Sequence, residues 1–320
     1  MTTKQRPAKL PISRLTLEKF SISNHQINWF LSICPEKQLF SNYSPGKVFF
    51  SLTRWTPEDL YLLLETSEEL LCRICLHIFG YECIHYITFN KIETIDFGPL
   101  EKYLDPAFCL FFKKVTESVI NSQWIYENSV TDFVAPRIIN KIQSHNFEPL
   151  NFSEINPKSN LAKIKDDYLS LFGSGKDSLL CCKLLELLDV RYGMYHESHT
   201  AYGLALLQQK IANQLIDNAM LTGEFHTTWC NDDFFDSPVS DLYQNGNRDH
   251  MGKLRAGGEI PGSPGSASIF PTLICFISHK YKYIVSAHER SANIPTIENS
   301  DVNHQYAKTV EFADYQSSYI

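Results

Sequence analysis

The chain has 320 residues, 43% of them hydrophobic and 13% aromatic, which is enough to bury a sizeable core in one large domain or two ordinary ones. Lysine and arginine total 29 against 36 aspartate and glutamate, a formal charge of −7, so the surface as a whole repels a phosphate backbone and bulk nucleic acid is not an expected partner. Nine cysteines without regular spacing fit reduced thiols better than a disulfide scaffold.

The N-terminus, Met1-Thr2-Thr3-Lys4-Gln5-Arg6-Pro7, leads into no apolar segment of the secretory kind. The most apolar runs, 108–112 and 269–277, are far shorter than the ~20 residues that span a bilayer. No membrane partner is expected, and the expected location is the cytoplasm.

A β-rich run at 47–52 comes first, then a helix from 57 to about 79. Thr56 suits its N-cap, Pro57 its first position, and Glu58 and Asp59 its positive end. Gly80 reads as its stop. Within this stretch Cys72-x-x-Cys75, near His77, Cys83 and His85, reads as a helical core stripe rather than a zinc site, because no second C-x-x-C accompanies it. Another helix is expected at 106–123, and the polar stretch 150–162 reads as a linker. That places an N-terminal domain at 1–155 and a second at 156–320.

From 168 to 172 a short apolar run suits a buried strand, followed by a Gly/Ser loop and an apolar helix over 178–188. Adjacent Cys181 and Cys182 read as small buried residues of that helix. A strand at 190–195 and a helix at 202–221 continue the alternation, which describes βαβα units and a parallel sheet. Glycine and proline recur too densely over 256–268 for regular structure, leaving a surface loop or a mobile flap. A last strand at 281–286 ends in the polar sequence Ala287-His288-Glu289-Arg290-Ser291-Ala292-Asn293, at the strand end where open α/β sheets place ligands.

The loop Gly173-Ser174-Gly175-Lys176-Asp177-Ser178 is the strongest chemical signal. Small residues let backbone N–H groups approach an anion, and the following helix turns its positive end to the same point. A Walker A loop requires glycine where Ser170 stands and Ser/Thr where Asp177 stands, so that reading fails twice. The segment resembles instead the S-G-G-x-D-S signature of the PP-loop ATP pyrophosphatases at Gly175, Asp177 and Ser178, with Ser174 as the departure. That resemblance implies that residues 173–178 hold the phosphates of ATP and that Asp177 helps to hold Mg²⁺.

Two C-terminal segments narrow the resemblance. His288-Glu289-Arg290-Ser291-Ala292-Asn293 and Val302-Asn303-His304-Gln305-Tyr306-Ala307-Lys308 look like the E-R-S-A-N and V-N-H-Q-Y-S-K pair of the UDP-N-acetylmuramoyl-L-alanyl-L-glutamate epimerases. The likeness covers roughly 165–315. It implies an α/β fold, with a PP-loop (HUP-like) parallel sheet and flanking helices preceded by a smaller α+β domain, and a second domain shortened at its C-terminus relative to that family. It also implies an isomerase of peptidoglycan synthesis that adenylates the terminal L-glutamate of a UDP-linked muramoyl dipeptide, releases AMP and pyrophosphate, and inverts the α-carbon.

Adenylation removes the carboxylate charge and acidifies the neighbouring C–H, so one group must remove a proton and another return it. His304, with an ordinary pKa near 6.5, and Lys308 are the candidates. Arg290 suits a bidentate grip on phosphate or carboxylate, and Glu289 suits Mg²⁺ or the orientation of Arg290. Asn293, Asn303, Gln305 and Tyr306 are the candidate substrate contacts. Another carboxylate-adenylating PP-loop enzyme, or a shortened relative that binds nucleotide without turnover, remains the alternative. A glutamine-hydrolysing amidotransferase is disfavoured because 1–150 gives no convincing cysteine–histidine pattern for the separate glutaminase domain it needs, and a tRNA thiolase by the acidic balance.

Overall fold

The computed structural model describes residues 11–23, 26–35, 48–56, 60, 63, 67–89, 91–116, 137–139, 167–199, 204–232, 269–287, 293–294 and 309–319. The linker and domain boundary near 155 and the glycine- and proline-rich 256–268 lie outside them. No helix among the described residues is long and apolar enough to cross a membrane.

Among the described residues nine strands form one sheet: β1 (Pro11–Ser23), β2 (Gln26–Pro35), β3 (Val48–Trp55), β4 (Lys91–Asp96), β5 (Arg137–Ile139), β6 (Tyr168–Leu171), β7 (Tyr192–His199), β8 (Glu224–Asp232) and β9 (Tyr283–Val285). Their order is β5-β4-β1-β2-β3-β8-β7-β6-β9. β1, β2 and β3 form an antiparallel meander, to which β4 and β5 add in parallel. β8, β7, β6 and β9 are parallel to one another, as the alternating pattern predicts. β3 and β8 pair antiparallel, Arg54 opposite Cys230 and Trp55 opposite Trp229, and weld the two halves into one sheet.

Burial follows strand type. In β2 alternate residues Ile27, Trp29, Leu31 and Ile33 are buried while Phe30 is 40% exposed, the pattern of a sheet with one wet face. β7 is buried on nearly every residue, as expected for a parallel strand with helices on both faces. It runs through His199, past the expected end at Tyr195, because its polar residues find partners inside the fold.

Helix α1 (Glu68–Phe89) is buried almost all round and forms the centre of the larger core. It passes straight through Gly80, which is not its stop. A Cβ at Gly80 would lie 3.2 Å from the Phe108 ring, so the glycine there serves close approach of another helix. That helix is α2 (Pro106–Val115), and the rest of the expected 106–123 helix beyond Thr116 lies outside the described residues; Asp105 caps its start by accepting from Phe108 N–H at 2.7 Å.

α3 (Lys176–Leu187) and α4 (Ala205–Ala219) lie on one face of the parallel strands, where Phe172, Cys182, Tyr192, Met194 and Ala212 pack together. α5 (Ile269–Ser278) covers the other face, against Leu169 and Tyr195. Phe270 and Ile274 of α5 and Phe312 of α6 (Val310–Tyr319) also join the core around α1, so both halves of the chain share it.

Candidate functional site

The parallel strands run β8-β7-β6-β9, so the chain steps outward from β6 to β7 and β8 and then crosses to the other side of β6 at β9. Such a reversal opens a crevice at the carboxyl ends of the two strands flanking it, here β6 and β9. The loop after β6 emerges at that point.

Phe172 N–H donates to Tyr195 O at 2.7 Å, which holds the loop's start against β7. Ser174 then adopts a left-handed conformation, φ +58°, and Gly175 precedes α3 in extended form. Ser178 Oγ donates to Gly175 O at 2.9 Å and accepts from Gly175 N–H at 3.2 Å, tying the turn to the helix. A Cβ built on Gly173 or Gly175 meets nothing within 4 Å, so both glycines face open space at the helix N-terminus. Gly173, Gly175 and Lys176 are exposed, Ser174 and Asp177 partly so, and Ser178 is buried. This geometry fits an anion: aligned N–H groups, the positive helix end and room for phosphate oxygens.

The floor of the loop holds a residue that sequence reading passed over. His196 Nδ1 donates to Phe172 O at 2.9 Å, while its Nε2 is buried without a hydrogen bond among the described residues. Burial pushes its pKa down, so the ring is a neutral imidazole with a bare acceptor beside the loop. One strand away on the same face, Trp55, Gln209, Thr227 and Trp229 line a cleft of about 300 Å³. A larger cleft, of about 500 Å³ around Arg191 and Glu224, lies at the amino ends of the strands, away from the loop.

A second constellation sits on the opposite face, at the β3–β8 seam. Arg54 donates to Glu82 of α1 and, at 2.7 Å, to Glu197 of β7; its side chain is 1% exposed. His199 Nε2 lies 3.4 Å from Glu82, and Cys230 Sγ 3.9 Å from the same carboxylate. Burial opposes a charge on His199, but Cys230 and Glu82 outweigh it and raise its pKa; burial pushes Cys230 up to about 11. Glu82, His199 and Cys230 bring three ligand-type atoms together, yet the Arg54 guanidinium already neutralises that carboxylate and repels a cation. The cluster is a neutralised interior network. A fragment such as Tyr195-His196-Glu197-Ser198-His199 gives only a weak local sign of it, in charged residues alternating within a strand.

Cys72, Cys75 and Cys83 are buried in α1, as the core-stripe reading expects, and neither ligand-type group among the described residues includes them. His77 is spoken for by Arg73 O and the Tyr319 hydroxyl. Of the C-terminal candidates, Asn293 is described: its Oδ1 accepts from Val310 N–H at 2.9 Å at the start of α6. Glu289, Arg290, Asn303, His304, Gln305, Tyr306 and Lys308 lie outside the described residues, though the chain leaves β9 at the crevice just before the first of them. No protein-family model, curated protein or solved structure matches the chain.

Proposed function

We propose that the protein is an ATP-using enzyme that binds the triphosphate at residues 173–178 and adenylates a carboxylate, with inversion of a terminal glutamate in a UDP-linked muramoyl peptide as the particular reaction. The observation that carries the first part is the open, glycine-flanked turn at the N-terminus of α3, set at the reversal point of a parallel sheet. The particular reaction rests on the sequence resemblance of 288–293 and 302–308.

In this reading the backbone N–H groups of 173–178 hold the phosphates, and Asp177, in the first turn of α3, holds Mg²⁺. Bound MgATP supplies the adenylyl group, and pyrophosphate leaves. The chain's own residues do the rest: Arg290 grips the anionic substrate, Glu289 orients that arginine or adds a metal ligand, and His304 and Lys308 divide proton removal and return between them. Asn303, Gln305 and Tyr306 position the peptide, together with the amide NH₂ of Asn293. The neutral His196 beneath the loop is a positioning residue for Phe172 and the turn that follows.

The test is incubation with ATP, Mg²⁺ and UDP-N-acetylmuramoyl-L-alanyl-L-glutamate in D₂O, followed for AMP, pyrophosphate and deuterium at the glutamate α-carbon. All three appear if the reading is right, and Asp177→Ala removes them. AMP without deuterium rejects epimerisation and keeps adenylation. ATP binding without AMP points to the non-catalytic relative, and no ATP binding overturns the loop assignment.

A further inference from the structure

His226, Cys275 and His279 form a cluster at the other end of the parallel strands, apart from both constellations above. His226 is the third residue of β8, with its ring on the face that α5 covers. Cys275 and His279 are four residues apart, and His279 N–H donates to Cys275 O at 2.9 Å, so the helical turn continues through His279 and both side chains emerge on one side. The His226 and His279 rings are 4.4 Å apart between centroids, and one ligand atom from each of the three residues lies within 4.8 Å of the other two. Cys275 is buried at the base, while the two histidines are partly exposed. An ion therefore has a way in from the solvent side and a soft donor at the bottom.

The surroundings suit a cation. The Tyr281 hydroxyl lies 2.8 Å from His226 Nε2 and 3.3 Å from Glu224 Oε2, a hydrogen-bonded carboxylate–phenol–imidazole chain of the kind that orients metal-binding histidines.

We propose that His226, Cys275 and His279 bind a divalent transition metal of the zinc class, with water in the fourth position. One thiolate and two imidazoles in a tetrahedral arrangement are the donor set that Zn²⁺ and Co²⁺ take. Binding forms one metal–sulfur and two metal–nitrogen bonds, and the Cys275 thiol proton passes to solvent. The ion clamps α5 to β8, and it takes no part in the reaction at the carboxyl ends of the strands.

The experiment is titration of the chelator-treated full chain with Co²⁺, read by absorbance. The expected result is one Co²⁺ per chain with a near-ultraviolet thiolate-to-cobalt band, displaced by Zn²⁺, and a melting temperature that rises with Zn²⁺ concentration. Cys275→Ala loses the band. His226→Gln and His279→Gln, at partly exposed positions, keep the far-ultraviolet circular dichroism and weaken binding by more than the ~10–100-fold that loss of an outer-shell partner costs. A band that survives Cys275→Ala, or one lost in Cys230→Ala instead, overturns the proposal. So does the absence of a thiolate band at saturating Co²⁺, or unchanged affinity in both histidine variants.

Discussion

Arg54 of β3 and Glu82 of α1 meet as a guanidinium–carboxylate pair with both side chains buried, and the same guanidinium reaches Glu197 of β7. Removing the guanidinium takes the cation away from the buried Glu82 and the part-buried Glu197. Arg54→Met is expected to destabilise the fold by about 3–5 kcal/mol, the cost of breaking a buried pair from one side. Urea unfolding measures it, and a loss below about 1 kcal/mol contradicts the network described here. The partial rescue expected from Glu82→Gln in that background is a second check, because it removes one of the two carboxylates that have lost the guanidinium.

Stability is expected to fall in mild acid. Burial holds His77 at about 4, against about 6.5 for an unfolded histidine. Between those values the unfolded chain binds a proton that the folded chain refuses, so stability is full above pH 6.5 and declines as pH drops toward 4. At about 1.4 kcal/mol per pH unit, wild type loses roughly 2–3 kcal/mol more than His77→Gln between pH 7 and pH 4.5. Equal losses in wild type and His77→Gln reject this origin.

At Ser174 the backbone is left-handed, a conformation that costs an ordinary residue about 1–2 kcal/mol. Ser174→Gly is expected to keep the melting temperature and any ATP affinity. Ser174→Val, β-branched at the same φ, lowers both. If Val is as well tolerated as Gly, the turn is not held as described.

Among the described residues, Gly98 is the least replaceable glycine. Its φ is +49°, and a Cβ there would lie 1.9 Å from Leu17 O, a backbone atom in the core strand β1. Gly98→Ala is expected to cost at least about 2 kcal/mol through combined strain and overlap, whereas Gly175→Ala, where a Cβ meets nothing, costs about 1 kcal/mol or less. Thermal melting of the two variants side by side tests the contrast.

Sequence exposed what local order determines. The run from Tyr168 through Ser178 declares strand, glycine-flanked turn and helix because each signal lies within a few residues of the next. Gly80 misleads because a glycine that ends a helix and one that admits a neighbouring ring are the same letter, and the difference is Phe108, far along the chain. The end of β7 was illegible for a similar reason. Glu197 and His199 look like residues leaving a strand until Arg54, 143 residues from Glu197, supplies the charge that keeps them inside. Cys275 and His279 were hidden in an apolar helix, since only the sheet face beneath it brings His226 to them.

The β3–β8 pairing also sets a problem of timing. During synthesis β3 emerges with an outer edge of unpaired backbone and an apolar Val48-Phe49-Phe50, and its partner β8 begins only at Glu224. At ~5–20 residues per second that edge waits roughly 8–35 s for its partner. Throughout that interval the nascent chain presents a template for stray strand addition, so the yield of native protein depends on what shields that edge at the ribosome.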